Sequence, residues 1–365
     1  MIISNPNSTS ITARLSRTIV SELMAIDGLQ LEAWFTAYPG HATELVREHV
    51  MEQEQQTQQK YDVVVCLGGD GTVNEVVNGL LLADSDLPLP AIAVIPTGSA
   101  NVLAGALGIP RNSYDAARHV AHLIESGATR DISVGLATAE VPESGTEAHR
   151  RLFVVNAGAG IDADVIAAMD ELRSTGKKAH PARYLRIIFG IWRNLRRHPP
   201  QISVRVNGQP AGTDIPVALV SNTNPWTFLG DLPVVTNPKT DITGEFGFFA
   251  INSLSGLPGL VAAANLGGAL WTLRGLLGVE KHITRIDAAQ RIELHSDEPL
   301  KFQVDGEYLE EVCNVELTVY PARLRCVAPD ANTDRHGFNT SVVTKPLPYR
   351  LAAMGLSRFR AKFNR

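Results

Sequence analysis

The segment Cys66–Asn78, which reads CLGGDGTVNEVVN, combines residue types that suit phosphate binding. The valine-rich run Asp62–Val65 leads into the loop Gly68-Gly69-Asp70-Gly71, and an apolar-periodic segment follows from Val73. A strand, a glycine loop and a helix start together present free backbone N–H groups to an anion. The glycines let the backbone approach that anion closely. The segment therefore predicts a phosphate-binding loop.

Asp70 is the unusual member of this loop, because a bare carboxylate repels phosphate. Its presence indicates that a divalent cation, a lysine or a substrate hydroxyl lies between the two. A P-loop is excluded because no Gly-Lys-Ser/Thr follows, and the dinucleotide pattern is excluded because its third glycine is missing. A structural alternative is a capping box of Thr72 and Glu75 that only starts a helix. That alternative leaves the three glycines and Asp70 unexplained.

Length, charge and cysteine content limit the classes of protein to which this chain can belong. The 365 residues with 44% hydrophobic content suffice for about two domains with real cores. The net charge of −5 gives no bulk attraction to nucleic acid. The three scattered cysteines fit neither a disulfide framework nor a zinc site and favour a reduced, cytoplasmic compartment. The first residues lack the pattern of a secretory signal. The apolar stretch Leu254–Val279 contains Pro258, Asn265 and Arg274, which makes it a poor membrane span.

The first third of the chain alternates predicted strands and helices, as a parallel sheet with crossover helices does. The predicted strands are Met1–Ser4, Leu29–Thr36, Asp62–Leu67 and Ala91–Ile95, and the predicted helices lie near Ile11–Ala25, His41–Gln56, after Thr72, before Leu107 and near Tyr114–Ser126. From about Ile132 the segments are β-rich. We expect a doubly wound α/β domain over residues 1–131, a β-rich, antiparallel, sandwich-like domain over 132–328, and a polar linker with a basic tail over 329–365.

Three loops follow the predicted parallel strands: Asn5–Thr9, Gly68–Thr72 and Pro96–Asn101. Ligands of open parallel sheets bind at the carboxyl ends of the strands. Each loop supplies small hydroxyl or amide groups beside a helix start, so together they could hold a nucleotide triphosphate. Taken singly, each is a turn with an N-cap residue. Their shared edge favours a ligand site.

The two segments GGDGTVNEVVNGL and IPTGSANVLAGALGIP resemble the nucleotide motifs of the diacylglycerol kinase catalytic domain family, which includes bacterial diacylglycerol kinases and sphingosine kinases. NAGAGIDADV (Asn156–Val165) and QVDGE (Gln303–Glu307) resemble its second-domain motifs in the same order. NPWTFLGDLPVVTNP and HPPQISVRVNG are similar to actinobacterial members. The GGDGT core is shared with NAD kinases, whereas Asn74-Glu75-Val76 and the later VDGE favour the lipid kinase branch. The resemblance covers roughly Ile2–Pro329.

The resemblance implies that ATP binds between an α/β domain and a β-rich domain and passes its γ-phosphoryl group to a lipid hydroxyl, most directly that of diacylglycerol. The residues implied to contact ATP are Asn5, Pro6, Asn7, Ser8, Thr9, Thr36, Gly68, Gly69, Asp70, Gly71, Thr72, Val73, Asn74, Glu75, Thr97, Gly98, Ser99 and Asn101. Asp70 would belong to a Mg²⁺–water network, and Glu307 would be the general base. A hairpin turn at Asp305-Gly306 is the plainer interpretation of VDGE. Both interpretations are compatible.

The chain departs from the family at two places. Thr9 stands where a glycine is usual in the first loop. The run Asp241–Gly247 stands where members often have Asp-Gly for a second Mg²⁺, so Asp241 or Glu245 would have to substitute as the metal ligand. The segment Gly158–Ala163 fits the weak pattern Gly-x-Gly-x-x-Ala but lacks a following acidic strand end, and we interpret it as a tight turn at the domain cleft.

Two basic segments suggest contact with a membrane. The predicted helix over residues 183–197 has one apolar and one arginine-rich face, which suits an anionic bilayer or, alternatively, a cover for the second sheet. The tail Tyr349–Arg365 is basic and contains no acid, and we expect it to assist peripheral docking at the inner face of the membrane. The partners expected are ATP and a lipid, with a homodimer left open. Two other functions stay open: a soluble kinase of the NAD kinase type and a binding protein without catalysis.

Overall fold

The computed structural model describes residues 1–6, 11–51, 61–82, 88–140, 148–160, 200–229, 232–253 and 282–330. The helices are α1 (Ala13–Met24), α2 (His41–Val46, followed by a π-helical turn Arg47–Met51), α3 (Asp70–Leu81), α4 (Val102–Ala106) and α5 (Ser113–Glu125). The strands are β1 (Ile2–Ser4), β2 (Ala33–Phe35), β3 (Val63–Gly68), β4 (Ala91–Pro96), β5 (Thr129–Glu140), β6 (His149–Phe153), β7 (Asn156–Gly160), β8 (Ile202–Val206), β9 (Gln209–Ile215), β10 (Val217–Ser221), β11 (Thr227–Leu229), β12 (Leu232–Val234), β13 (Phe246–Ile251), β14 (Ile283–Ala289), β15 (Arg291–Val304) and β16 (Glu307–Val327).

Four parallel strands form the first part of the sheet, in the order β2-β1-β3-β4. All six residues of β4, and the last five of β3, are buried, as expected for parallel strands that are covered on both faces. The parallel pairing brings the ends of β1, β2, β3 and β4 to one edge. The predicted α/β architecture is confirmed here. The two loops that follow β3 and β4 lie at this edge.

A long strand joins the two parts of the molecule. β16 pairs along its length with β15 and β5 in antiparallel register, and near its end Cys326 pairs with Ile92 of β4 in parallel. The sequence pattern predicted only Val315–Tyr320 of this strand, because polar residues interrupt its apolar alternation. Pairing on both sides extends it to 21 residues. Among the described strands, fourteen thus belong to one mixed sheet.

Two hydrophobic cores lie along this sheet. The first packs α1, α3 and α5 against the parallel strands and includes Ile3, Ile19 and Val77. The second lies in the β-rich part, where the rings of Phe153 and Phe246 stack with centroids 5.2 Å apart. The β-rich character predicted for this part is confirmed, whereas the domain boundaries at 131 and 328 stay predictions.

Several predicted segments fall outside the described residues. These are the end of the helix His41–Gln56, the basic helix over 183–197, the stretch Leu254–Val279 and the tail beyond residue 330. In the part that the structure describes, no helix has both the length and the apolar character needed to cross a membrane.

Candidate active site

Two glycine loops touch backbone to backbone at the carboxyl edge of the parallel sheet. A Cβ added to Gly98 would lie 2.6 Å from the Cα of Gly69, a distance that real Cβ atoms do not adopt. The N–H of Thr97 also donates to the carbonyl of Gly68 at 3.0 Å. The loop after β3 and the loop after β4 therefore form one continuous surface, and glycine is required at their contact.

Helix α3 starts inside the first of these loops, at Asp70, with Gly69 as its N-cap and no side-chain cap. The capping-box interpretation of Thr72 and Glu75 is therefore wrong, because both residues lie within the helix. The first intrahelical bond in this turn runs from the N–H of Val73 to the carbonyl of Gly69 at 3.2 Å. The N–H groups of the preceding residues have no partner within the helix, and together with the helix dipole they favour an anion.

Asp70 fastens the two loops together. Its two carboxylate oxygens accept the N–H groups of Val102 at 3.0 Å and Leu103 at 3.1 Å, which begin α4. Burial raises the pKa of this carboxyl group, and the backbone N–H donors act in the opposite direction. The backbone N–H groups of Asn101 and of Asp70 itself also bond to this carboxylate. A single carboxylate of this kind fits Mg²⁺ that is held mainly by water and phosphate oxygens, and that role of Asp70 stays a prediction.

Glu75 has a partner in another helix. Its carboxylate accepts the N–H groups of Gly40 at 2.9 Å and Ala42 at 3.0 Å, at the start of α2. Gly40 is the N-cap of α2 and has no side chain with which to cap it. Glu75 therefore supplies the cap from α3, and the structure gives it this packing role in addition to the expected contact with ATP, which stays a prediction.

A buried hydrogen-bond network connects α3 to the β-rich part. The side-chain amide of Asn74, which is 1% exposed, donates to the Asp305 carboxylate at 2.8 Å and to the Leu152 carbonyl at 2.8 Å. The same carboxylate accepts the N–H groups of Val154 and Val155 at 2.9 Å each. Burial raises the pKa of Asp305 to about 6, although these donors act in the opposite direction. Asn74 thus ties the phosphate-loop helix to the turn before β16.

That turn is the hairpin which the sequence indicates. Asp305 has φ 49° and Gly306 has φ 82°, as a two-residue hairpin turn of the type I′ class requires. Val304 pairs with Glu307 across it. The N–H of Gly306 donates to the side chain of Gln303 at 3.0 Å, and Gln303 in turn donates to Asn156 at 3.0 Å. The turn is therefore fixed at both of its sides.

The hairpin directs Glu307 onto the first turn of α3. A Cβ added to Gly71 would lie 2.7 Å from the Oε1 atom of Glu307, so the carboxylate occupies the space that a side chain there would take. The other oxygen, Oε2, accepts a hydrogen bond from Arg151 at 3.0 Å. The structure therefore brings a carboxylate, an arginine and the phosphate loop together, as the resemblance implies for Glu307.

The other described residues that are expected at the ATP site lie around the same edge. The N–H of Thr36 donates to the Ser4 carbonyl at 2.9 Å, so Thr36 follows β2 at this edge. Asn101 closes the second loop by accepting from the N–H and donating to the carbonyl of Gly98, at 2.9 and 2.7 Å. Ser99 is exposed. Asn5 and Pro6 follow β1, whereas Asn7, Ser8 and Thr9 fall outside the described residues.

Asp241 and Glu245 have local partners. Asp241 accepts the N–H and the hydroxyl of Thr243 at 2.9 Å each, and Glu245 accepts the side-chain amide of Gln290 at 2.5 Å. Over the described ranges, no three His, Cys, Asp or Glu side chains converge as metal ligands would. The geometry thus gives no support to a second Mg²⁺ at this segment, and that expectation stays a prediction.

The sequence pattern indicates neither Arg151 nor the anchoring role of Asp305. Arg151 belongs to a pair of arginines in a polar run, and nothing in that run distinguishes it. The pattern around Asp305 predicts only a turn. Its partner Asn74 lies 231 positions earlier in the chain, so no local pattern could join them.

Comparison with known proteins agrees with this geometry. The family model of the diacylglycerol kinase catalytic domain matches residues 1–137. Those residues form a diacylglycerol kinase catalytic domain. The chain is 25% identical over 283 residues to the diacylglycerol kinase of Bacillus subtilis (strain 168), covering 77% of this chain and 80% of that protein. The matched domain and this relative support a diacylglycerol kinase-like lipid kinase, as the motifs predict.

Two further similarities fit this assignment. A probable lipid kinase, YegS-like, of Chromohalobacter salexigens is 51% identical over 55 residues, which cover 15% of this chain and 17% of that protein. The crystal structure of a putative diacylglycerol kinase from Bacillus anthracis str. Sterne matches with a TM-score of 0.64 and 21% identity, covering 90% of this chain and 95% of that chain. At this identity the structural match establishes the fold.

We predict that Gly71→Ala lowers turnover by ~10-fold or more with little change in melting temperature, because a small displacement of a catalytic group costs that much. The added methyl would meet only the carboxylate of Glu307, which is the end of a flexible side chain and can move away. Steady-state kinetics and thermal unfolding measure the two effects. Undiminished turnover would show that catalysis does not depend on the position of the Glu307 carboxylate over the first turn of α3.

Gly98→Ala is the matched control, because its methyl would meet the backbone of Gly69 at 2.6 Å in addition to the side chain of Asn101 at 2.9 Å. We expect this variant to lose melting temperature, since two packed backbones must separate.

We predict that Asp305 makes the stability of the kinase depend on pH. Its folded-state pKa of about 6 lies above the ordinary value of 3.8, so its contribution is full below pH 3.8 and is lost as the pH rises through about 6. Between these values the free energy of unfolding should fall by up to roughly 3 kcal/mol more in the unaltered protein than in Asp305→Asn. Chemical denaturation at a series of pH values measures this difference.

Asp297→Asn is the control, because the Asp297 side chain is 96% exposed. If the free energy of unfolding of the unaltered protein rose with pH relative to that of Asp305→Asn, the prediction would be contradicted.

Proposed function

We propose that this kinase transfers the γ-phosphoryl group of ATP to the hydroxyl of diacylglycerol and so forms phosphatidate. The observation that carries the proposal is the position of the Glu307 carboxylate over the first turn of α3, beside Gly71. A phosphate-binding helix start and a proton acceptor thereby face the same small volume. Phosphoryl transfer to an alcohol requires this combination.

The glycine loops supply the binding of the triphosphate. Their close contact at Gly69 and Gly98 removes side chains from the surface that faces the ligand. The free N–H groups at the start of α3 and the dipole of this twelve-residue helix favour negative charge there. Mg²⁺, when bound, would neutralise charge on the phosphates, and in this proposal Asp70 would hold its water. The loops are held rigid by the Asp70 bonds to α4, so little reorganisation is needed when phosphate binds.

Glu307 accepts the proton of the attacking hydroxyl in this proposal. Arg151 donates to its Oε2 atom and the hairpin fixes its backbone, while the Oε1 atom lies beside Gly71. After the phosphorylated product departs, the protonated carboxyl group of Glu307 releases this proton to solvent. Arg151 orients the Glu307 carboxylate.

The lipid class of the acceptor is supported by the family assignment, and the choice of diacylglycerol by the names of the relatives. A lipid substrate also requires contact with a membrane surface. The basic helix and tail expected to supply that contact lie outside the described residues, so peripheral docking, like a homodimer, belongs to the proposal.

The proposal is tested with γ-labelled ATP, Mg²⁺ and vesicles that contain diacylglycerol, ceramide, sphingosine or monoacylglycerol, with NAD in a parallel sample that has no lipid. We expect label on phosphatidate. Glu307→Gln and Asp70→Asn should each lower turnover by at least ~100-fold, the usual scale for a positioned base. Glu311→Gln, an exposed residue of the same strand, is the matched control. Label on NAD would favour a soluble kinase, and ADP binding with no labelled product would indicate a binding protein without catalysis.

A further inference from the structure

Arg111 lies at the carboxyl edge of the parallel sheet, although no sequence motif marks it. It stands in the turn between α4 and α5. Two residues later, the hydroxyl of Ser113 donates to the carbonyl of Pro96, the last residue of β4, at 2.6 Å. The turn that carries Arg111 is therefore fastened to the edge from which the second glycine loop leaves.

An aromatic ring holds the guanidinium group in place. The Cζ atom of Arg111 lies 4.5 Å from the centroid of the Phe228 ring. That ring in turn packs on α4, since a Cβ added to Gly105 would lie 3.4 Å from it. α4 is the helix whose first N–H groups bind Asp70. A guanidinium stacked on a ring keeps the N–H donors at its edge available for a ligand.

The charge of Arg111 is partly covered and has no ion pair within the described part of the chain. Burial lowers the pKa of its guanidinium, and the nearby Asp70 carboxylate acts to raise it. Other arginines of the structure contact carboxylates at short range, including Arg118 with Glu22 at 3.1 Å and Arg325 with Asp131 at 3.2 Å. Arg111 is thus a solvent-exposed cation near the Asp70 carboxylate, and its donors have no partner in the described part of the chain.

We propose that Arg111 binds the phosphate chain of the nucleotide at the mouth of the two glycine loops, on the side of Phe228. A guanidinium group matches phosphate oxygens with two parallel hydrogen bonds. The position of Arg111 also explains how a loop that contains the Asp70 carboxylate can bind phosphate, because a cation beside that carboxylate reduces its repulsion of phosphate. The inference rests on the proposed function in one respect, namely that the ligand is a nucleotide.

The test is isothermal titration calorimetry with ADP and, separately, with adenosine. For Arg111→Gln we expect the dissociation constant for ADP to rise by ~10-fold or more, the scale of a hydrogen bond to a charged group, and adenosine binding to stay unchanged. Arg111→Lys keeps the charge without the fork and should give a smaller loss. Arg118→Gln is the matched control, because Arg118 is an exposed arginine on α5 that pairs with Glu22.

An anionic lipid headgroup is the other source of phosphate oxygens, and sedimentation with vesicles containing phosphatidate distinguishes it. Unchanged ADP affinity in Arg111→Gln, with or without a loss of vesicle binding, would overturn the inference while leaving the proposed function intact. If the unaltered protein bound no ADP, the proposed function would fail as well, and the two failures are therefore distinguishable.

Discussion

The buried hydrogen bond between Asn74 and Asp305 is the contact on which the active-site geometry depends. It joins the helix that carries the phosphate loop to the turn that presents Glu307, at 2.8 Å. Neither residue has access to water, so removing one partner leaves a buried polar group without compensation, which costs considerably more than the bond itself contributes. The N–H donors of Val154, Val155 and Asn156 fill the remaining capacity of the carboxylate. A fully satisfied network of this kind permits one arrangement of loop and base.

The sheet explains why the hydrogen bond between Asn74 and Asp305 suffices to align Glu307 with the glycine loops. β16 begins at Glu307 in the β-rich part and ends beside β4 in the parallel part, so Glu307 and the glycine loops belong to one continuous hydrogen-bonded frame. Glycines permit two close contacts at this site, between Gly69 and Gly98 and between Gly71 and Glu307. Asp70 and Glu75 then fix α4 and α2 to the same helix start. Asp70 and Glu75, which the sequence predicts as contacts of the ligand, therefore also hold the helices of the site in position.

Much of this could be predicted from local pattern, and the rest could not for a physical reason. The strand before Gly68, the helix after it and the Asp305-Gly306 turn each follow from the properties of adjacent residues. The capping box failed because Glu75 finds better donors at Gly40 and Ala42, some 35 and 33 positions away. Arg151 and Arg111 carry no signal because their roles depend on what folding brings near them. Local propensity sets elements, whereas long-range pairing sets the site.

The most direct test of this account is a double-mutant cycle in turnover between Asn74 and Glu307. If Asn74 acts on catalysis by holding Glu307 in place, Asn74→Ala lowers turnover by ~10-fold or more in the unaltered background, the scale for a misplaced catalytic group. In a Glu307→Gln background the same substitution should then have almost no further effect. Unfolding curves of all four proteins establish that the comparison concerns folded enzyme. Effects that multiply independently would contradict the account, because the network would then not act through the position of the base.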